Sequence, residues 1–366
     1  MSLFMVVGLG IYFGAHYLLF FSLIRFFQIG SPNAKLILFL AILFLSLSFI
    51  LASLLAHFKE GWLTRSFYIF SGFWLGLLVN LLLAAAAVWL VIGLVEIANL
   101  ESNAALVAAF LFPVALGFSV YGSWNAFNPR VKNIEVEIKN LPFCWQGKIV
   151  VQLSDVHLGH IYRADYLEKL VRQINALRPE AVFITGDLFD GMDGELNSLV
   201  RPLNEIQAEK GIYFVTGNHE TYLGVDKAFA ALENTKVKIL KNEVADISGL
   251  KIIGINYLRQ GEANNEIGLL QSLKDKFFGQ PNILLFHSPV NIEQVKNVGV
   301  NFQLAGHTHK GQLFPFGLIT KLVYKGYDYG LHRNGDFSIY TTSGAGTWGP
   351  PVRTGNIPEI VQIRLK

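Results

Sequence analysis

Four stretches of this chain, residues 1–24, 36–58, 66–95 and 102–129, contain no Asp, Glu, Lys or Arg. Each supplies the roughly 20 apolar residues that a helix needs to cross a bilayer. Inside hydrocarbon every backbone polar group must find its partner within the protein, so such stretches fold as helices. The sequence therefore predicts a transmembrane region over 1–129, with four helices near 3–27, 36–58, 66–95 and 104–125, followed by a separate domain over 130–366. Nothing basic precedes the first apolar run, which is also too long for the core of a cleaved signal, so it is expected to remain as an anchor.

Composition fits this division. Of 366 residues, 52% are hydrophobic and only 16% charged, and the net charge is +3. Four basic and three acidic residues precede position 130, which leaves 26 against 24 of the total 30 and 27 for the rest. A nearly neutral domain of that size can bury a full core and shows no electrostatic footprint for nucleic acid. Cys144 is the one cysteine, so an intramolecular disulfide is excluded. Four spans put both termini on one face, with Lys59, Arg65, Arg130 and Lys132 near the membrane, against Arg25 and Lys35 opposite. The positive-inside rule then predicts a multi-pass protein, of the cytoplasmic membrane in a bacterium, with its C-terminal domain in the cytoplasm. Gly10 and Gly14 form a GxxxG pair, and His16, His57 and Asn80 are polar residues in or near spans. These suit close helix approach and bundle-satisfied positions, or a lipid-access groove. The spans contain no row of carboxylates, which argues against a transporter.

The second half carries a different kind of signal. Asp155-Val156-His157, Gly186-Asp187, Gly217-Asn218-His219-Glu220, His287 and Gly306-His307-Thr308-His309 follow one another. The short apolar runs IVVQLS, AVFIT, IYFVT, ILLF and FQLA precede them, so each set lies just past a strand end. That rim is where open α/β sheets bind ligands, and residues two apart on an extended segment point the same way. The pattern predicts a dinuclear metal site. Imidazole, carboxylate and amide donors without thiolate suit Mn, Fe, Zn or Ni over Ca, with Mn foremost. Two divalent ions about 3.5–4 Å apart share a carboxylate and a hydroxide, which supplies a nucleophile at neutral pH for in-line attack on a phosphoester.

These motifs resemble the calcineurin-like metallophosphoesterases, whose pattern is DxH, GD, GNH with an acid, a lone His and GHxH. The resemblance covers roughly residues 147–366, and the tail SGAGTWGPPVR with PEI resembles a bacterial membrane-associated branch whose GHTHGGQ reads GHTHKGQ here, Lys310 replacing a glycine. It implies an αββα sandwich of two mixed sheets, which periodicity alone does not distinguish from one doubly wound sheet. It also implies that Asp155, His157, Asp187 and His309 hold one metal, and Asp187, Asn218, His287 and His307 the other, with Asp187 bridging. His219 then acts on the substrate, and Glu220 stands where many members have Asp. Asp190 and His160, close to these motifs in sequence, read first as polar loop residues beside the site.

Helices are expected at Asp165–Leu177, Leu196–Glu209 and Asp226–Glu233, and strands in VKNIEVEIKNLP, FSIYTTSG and EIVQIRL. After His309, Phe314, Phe316, Leu318, Leu322 and Tyr324 alternate with Lys310, Lys321, Lys325 and Arg333. This segment reads either as a bilayer-facing element or as an ordinary loop or hairpin on the sheet. The function expected is a membrane-embedded phosphohydrolase that cleaves a phosphoester or pyrophosphate bond by metal-bound hydroxide, on a phosphorylated lipid or other membrane-proximal small molecule. The alternatives are a tethered phosphodiesterase of a soluble nucleotide and a non-catalytic membrane sensor.

Overall fold

The computed structural model describes residues 3–58, 61–101, 103–191, 195–258 and 265–366. Lys59, counted above among the basic residues near the membrane, lies outside the described residues. The chain divides into two units, Met1–Trp124 with Gly349–Thr354, and Asn125–Trp348 with Gly355–Lys366.

The first unit contains α1 (Leu3–Phe26), α2 (Pro32–Phe58), α3 (Trp62–Ile97) and most of α4 (Ala104–Ala126). All four are long and apolar enough to cross a membrane, and the chain is a multi-pass membrane protein. At about 1.5 Å per residue, the 36-residue α3 is about 54 Å long, well beyond a hydrocarbon core of about 30 Å. Association of helices in lipid rests on packing and on hydrogen bonds between them. Tyr12 donates to the Ser46 carbonyl at 2.8 Å, Trp74 to His16 Nε2 at 3.1 Å, Trp89 to Ser22 Oγ at 3.0 Å and Asn80 to Ser119 Oγ at 2.8 Å. His16 and the amide nitrogen of Asn80 are thus satisfied within the bundle, whereas a Cβ added at Gly10 or Gly14 would meet nothing within 4 Å among the described residues. The segment Gly349–Thr354 packs into the same unit, where Ser123 Oγ donates to the Pro351 carbonyl and Arg353 N to the Gly122 carbonyl.

The second unit holds two mixed sheets. Its strands are β1 (Arg130–Val136), β2 (Ile149–Leu153), β3 (Ala181–Thr185), β4 (Ile212–Val215), β5 (Val237–Ile239) and β6 (Glu243–Ile247), then β7 (Leu250–Ile255), β8 (Asn282–Phe286), β9 (Phe302–Ala305), β10 (Gly330–Asn334), β11 (Phe337–Thr341) and β12 (Glu359–Leu365). One sheet runs β1-β12-β2-β3-β4-β5 and the other β10-β11-β9-β8-β7-β6. Within them β2, β3 and β4 are mutually parallel, as are β7, β8 and β9. These strands read as continuous apolar runs because both of their faces are covered. Phe183, Tyr213 and Ile363 of the first sheet pack against Ile252, Leu285 and Leu304 of the second, and the second sheet's other face carries a core of its own. Gln152, fully buried on β2, donates to Thr185 Oγ1 and to the Ala305 carbonyl, both at 2.9 Å, which pins β2 to β3 and to β9 of the facing sheet.

The helices of this unit are α5 (Ala164–Ala176), α6 (Leu196–Val200), α7 (Asn218–Leu223), α8 (Val225–Leu232), α9 (Asn265–Ser272), α10 (Ile292–Val298) and α11 (Gly317–Val323). The one sequence-expected helix that is cut short is α6. Pro202 lacks a backbone donor, so the ladder stops at Val200 and the chain continues as a 3₁₀ turn over Arg201–Glu205. The segment after His309 forms a 3₁₀ turn and α11, and it ends in β10, the first strand of an antiparallel hairpin with β11.

Candidate metal centre

The apolar runs before the five motifs are β2, β3, β4, β8 and β9, so all five motifs leave the C-terminal ends of strands. The backbone there is unusual. Asp155, His157, Asp187, His307 and His309 all adopt positive φ, between 47° and 72°. Such a conformation costs a non-glycine residue on the order of 1–3 kcal/mol and persists only where surrounding contacts impose it.

Those contacts are visible. Asp155 N donates to the Gly186 carbonyl and His157 N to the Asp187 carbonyl, each at 3.1 Å, and Gly306 N donates to the His287 carbonyl at 2.8 Å. Glu220, fully buried, accepts from Gly217 N at 2.6 Å, Asp187 N at 2.9 Å and Phe189 N at 3.0 Å. Its carboxylate ties the loop after β3 to the loop after β4, a structural task that the motif alone did not disclose. Gly186 has φ 89°, and a Cβ there would lie 2.6 Å from His287 Nδ1 and 2.7 Å from Gly217 N. A side chain at position 186 would therefore push the loops apart.

Among the described residues, three groups of donors have ligand atoms within 4.8 Å of one another: Asp155, His157 and His309; His157, Asp187 and His219; and Asp187, His287 and His307. Asn218 Oδ1 joins the third, 2.7 Å from His307 Nδ1 and 3.2 Å from His287 Nε2. His287 donates from Nδ1 to the Thr185 carbonyl at 2.8 Å, which turns Nε2 toward Asp187 Oδ2 at 3.1 Å. His157 Nε2 and His309 Nε2 lie 3.0 Å apart. Two imidazole nitrogens meet at that distance only if one carries a proton or both point at a shared cation.

The electrostatics say the same. Burial pushes Asp155 above the usual carboxylate range, and it pushes Asp190 and Glu220 up to about 7, Asp187's charge adding to the shift at Glu220. Asp187 also loses solvation, but His287 and the other imidazoles outweigh that loss and hold it low. Burial alone would lower His287, and Asp187 instead carries it up to about 10. His307 falls to about 3 through burial and the charge on His287. A buried cluster of carboxylates and imidazoles this strained in protonation fits divalent cations, which stabilise every ligand in its deprotonated form.

All seven sequence-expected ligands meet at this rim, and His219 is with them. Its Nδ1–H donates to the Asp190 carbonyl at 2.8 Å, and its backbone N–H donates to Asp187 Oδ1 at 2.8 Å. Asp190, read from sequence as a loop polar residue, places Oδ1 3.4 Å from His157 Nδ1. His160 is buried but belongs to none of the three donor groups. Tyr257 and Tyr324 were not legible as neighbours of the site, yet their rings lie 6.0 and 6.1 Å from that of His307. Lys310 sets its Nζ 4.0 Å over the Tyr329 ring, and Tyr329 donates to Glu359 at 3.0 Å.

Comparison with known proteins agrees with this geometry. The family profile described as calcineurin-like phosphoesterase matches residues 149–311. A protein of Helicobacter pylori named as an uncharacterised metallophosphoesterase is 32% identical over 250 residues, 66% of either chain. A Danio rerio transmembrane protein with metallophosphoesterase domain is 32% identical over 68% of this chain and 60% of its own length. An Aquifex aeolicus metallophosphoesterase is 30% identical over 69% of this chain and 98% of its own. The match thus spans about two thirds of the Helicobacter relative, less of the zebrafish one and nearly all of the Aquifex protein.

Proposed function

This chain belongs to the calcineurin-like metallophosphoesterases, and from that premise we propose that it is a membrane-embedded, two-metal phosphohydrolase. One observation supports the reading above all: donors from five strand ends converge in a buried cluster in which Asp187 is common to two of the three groups. In this proposal Asp155, His157, Asp187 and His309 hold one cation, Asp187, Asn218, His287 and His307 the other, and Asp187 bridges. The donor set suits Mn first, with Fe, Zn or Ni as alternatives. Cations held there supply an acidified water and offset the charge of a phosphate.

The chain's own part in the chemistry falls to His219. With Nδ1–H tied to the Asp190 carbonyl, Nε2 is the nitrogen left for the substrate. Burial holds this imidazole below its usual value, and an anionic phosphate beside it would favour the protonated form. During hydrolysis the water oxygen bonds to phosphorus, the P–O bond to the leaving group breaks, and the departing oxygen takes its proton from His219. The substrate we propose is a phosphoester or pyrophosphate of a lipid-linked or membrane-proximal molecule, because four spans keep the domain beside a bilayer.

The test is to purify the full chain in detergent, measure bound metals, and assay it with Mn²⁺ against aryl phosphates, soluble nucleotides and a panel of phosphorylated membrane lipids. Two metals per chain with hydrolysis is the expected result. Metal without turnover on any substrate would favour a sensor instead, and a preference for soluble nucleotides over lipids would overturn the substrate class.

A further inference from the structure

The helix α11 is amphipathic the wrong way round for a water-soluble domain. At about 100° per residue, Leu318, Ile319, Leu322 and Val323 occupy one arc of about 140°, opposite Thr320 and Lys321. Ordinarily such an arc faces the core. Here its four side chains are 71%, 56%, 81% and 63% exposed, and no residue of the helix is buried. Of the polar pair only Thr320 turns inward, where its Oγ1 meets the buried Asp328 carboxylate at 3.2 Å, while Lys321 stays exposed. Phe314, just before the helix, is 53% exposed. So is Trp348 at 62%, and its backbone N–H donates to Gln312 Oε1 at 3.0 Å, which brings a second chain segment to the same turn.

We propose that α11, with Phe314 and Trp348, is an interfacial element that inserts its apolar arc into an anionic bilayer. The occupant follows from the rest of the chain. Four spans keep a bilayer within permanent reach of this domain, so the surface meets lipid at a high effective concentration. Charge agrees, since Lys321 and Lys325 are both exposed on or just after the helix and can meet headgroup phosphates while the apolar residues enter the acyl boundary. Position gives the insertion a consequence. Tyr324, next after the helix, has its ring 6.1 Å from that of His307, so the docked arc ends within two residues of a side chain that faces the metal cluster. The lipid phosphate is thereby the phosphate nearest to hand, which rests on the phosphohydrolase reading above, whereas the docking itself does not.

The full chain in nanodiscs of phosphatidylglycerol and phosphatidylethanolamine separates the two. With Cys144→Ser as background, spin labels are attached through Leu318→Cys, Leu322→Cys and, as control, Glu209→Cys in an exposed loop. Labels at 318 and 322 should collide preferentially with oxygen, and the label at 209 with a water-soluble nickel chelate. Equal nickel accessibility at all three would overturn the docking, and so would exclusion of both reagents with spin coupling between chains, which would assign the arc to a second copy. In a second arm, Leu318→Asp with Leu322→Asp should lower turnover of a bilayer-presented phospholipid about tenfold or more while sparing p-nitrophenyl phosphate. Equal losses on both would mean that α11 only supports the fold. Labels that sit in lipid on a chain without any turnover would sink the hydrolase reading and leave the docking intact.

Discussion

His16 in the helical unit and His287 at the metal rim are both buried, at 2% and 0% exposure, yet their surroundings treat them oppositely. His16 donates from Nδ1 to the Tyr12 carbonyl at 2.9 Å and accepts at Nε2 from Trp74, so both ring nitrogens are used. His287 also spends Nδ1 on a carbonyl, but its Nε2 faces only oxygens, Asp187 Oδ2 and Asn218 Oδ1. The same contrast separates the two units. Among the helices, the pairs Trp74–His16, Trp89–Ser22 and Asn80–Ser119 each join two spans. At the rim imidazole, carboxylate and amide groups from several loops converge instead, an arrangement that suits a bound cation.

The sharpest attempt to break this comparison is Asp187→Asn. It removes the charge shared by two donor groups, so turnover should fall by orders of magnitude and both metals should be lost together, as read by metal analysis of the purified chain. Near-normal turnover with two metals retained would mean the rim is no more metal-dependent than the helices.

His219→Ala should keep the metals and still lose about 10²- to 10⁴-fold in rate, the range typical of general acid catalysis. The loss should shrink for esters with good leaving groups, such as nitrophenyl phosphate. An emptied metal site, or a loss independent of the leaving group, would instead make His219 a ligand.

Glu220→Gln tests the carboxylate that binds three backbone N–H groups. One oxygen is replaced by an amide donor that faces other donors, so unfolding of the metal-free chain should become easier by about 1–3 kcal/mol, measured by denaturation in detergent. Weaker metal binding should accompany it. An unchanged midpoint would show that the loops are held by the rest of the rim.

The smallest effect belongs to the helices. Trp74→Phe removes the donor to His16, and interhelical hydrogen bonds in membranes average only about 0.6 kcal/mol. The melting midpoint should fall slightly while metal content stays at its wild-type value. A loss of metal on this change would end the separation of roles drawn above.

How much of this could be read in advance varied with the range of the interaction. The four spans and the β2, β3, β4, β8 and β9 runs are local in sequence, and the motifs that follow those runs sit at fixed offsets from them. Apolar periodicity over 196–209 predicts a longer helix than α6, because Pro202 interrupts the ladder that the periodicity implies. Glu220 was visible as an acid in a motif, but its three backbone partners come from residues up to 33 positions away. Asp190 beside His157 and Tyr324 beside His307 follow from loop paths that no local pattern encodes.

Composition and spacing by themselves determined that this chain spans a membrane and that its donors leave strand ends, because apolar length and strand periodicity are properties of a single segment. Only the tertiary structure decided that Gln152 crosses between the two sheets and that α11 turns its apolar arc outward. Those outcomes depend on which surfaces meet after the chain has closed on itself, and the sum of long-range packing that selects them is not written in any one stretch of sequence.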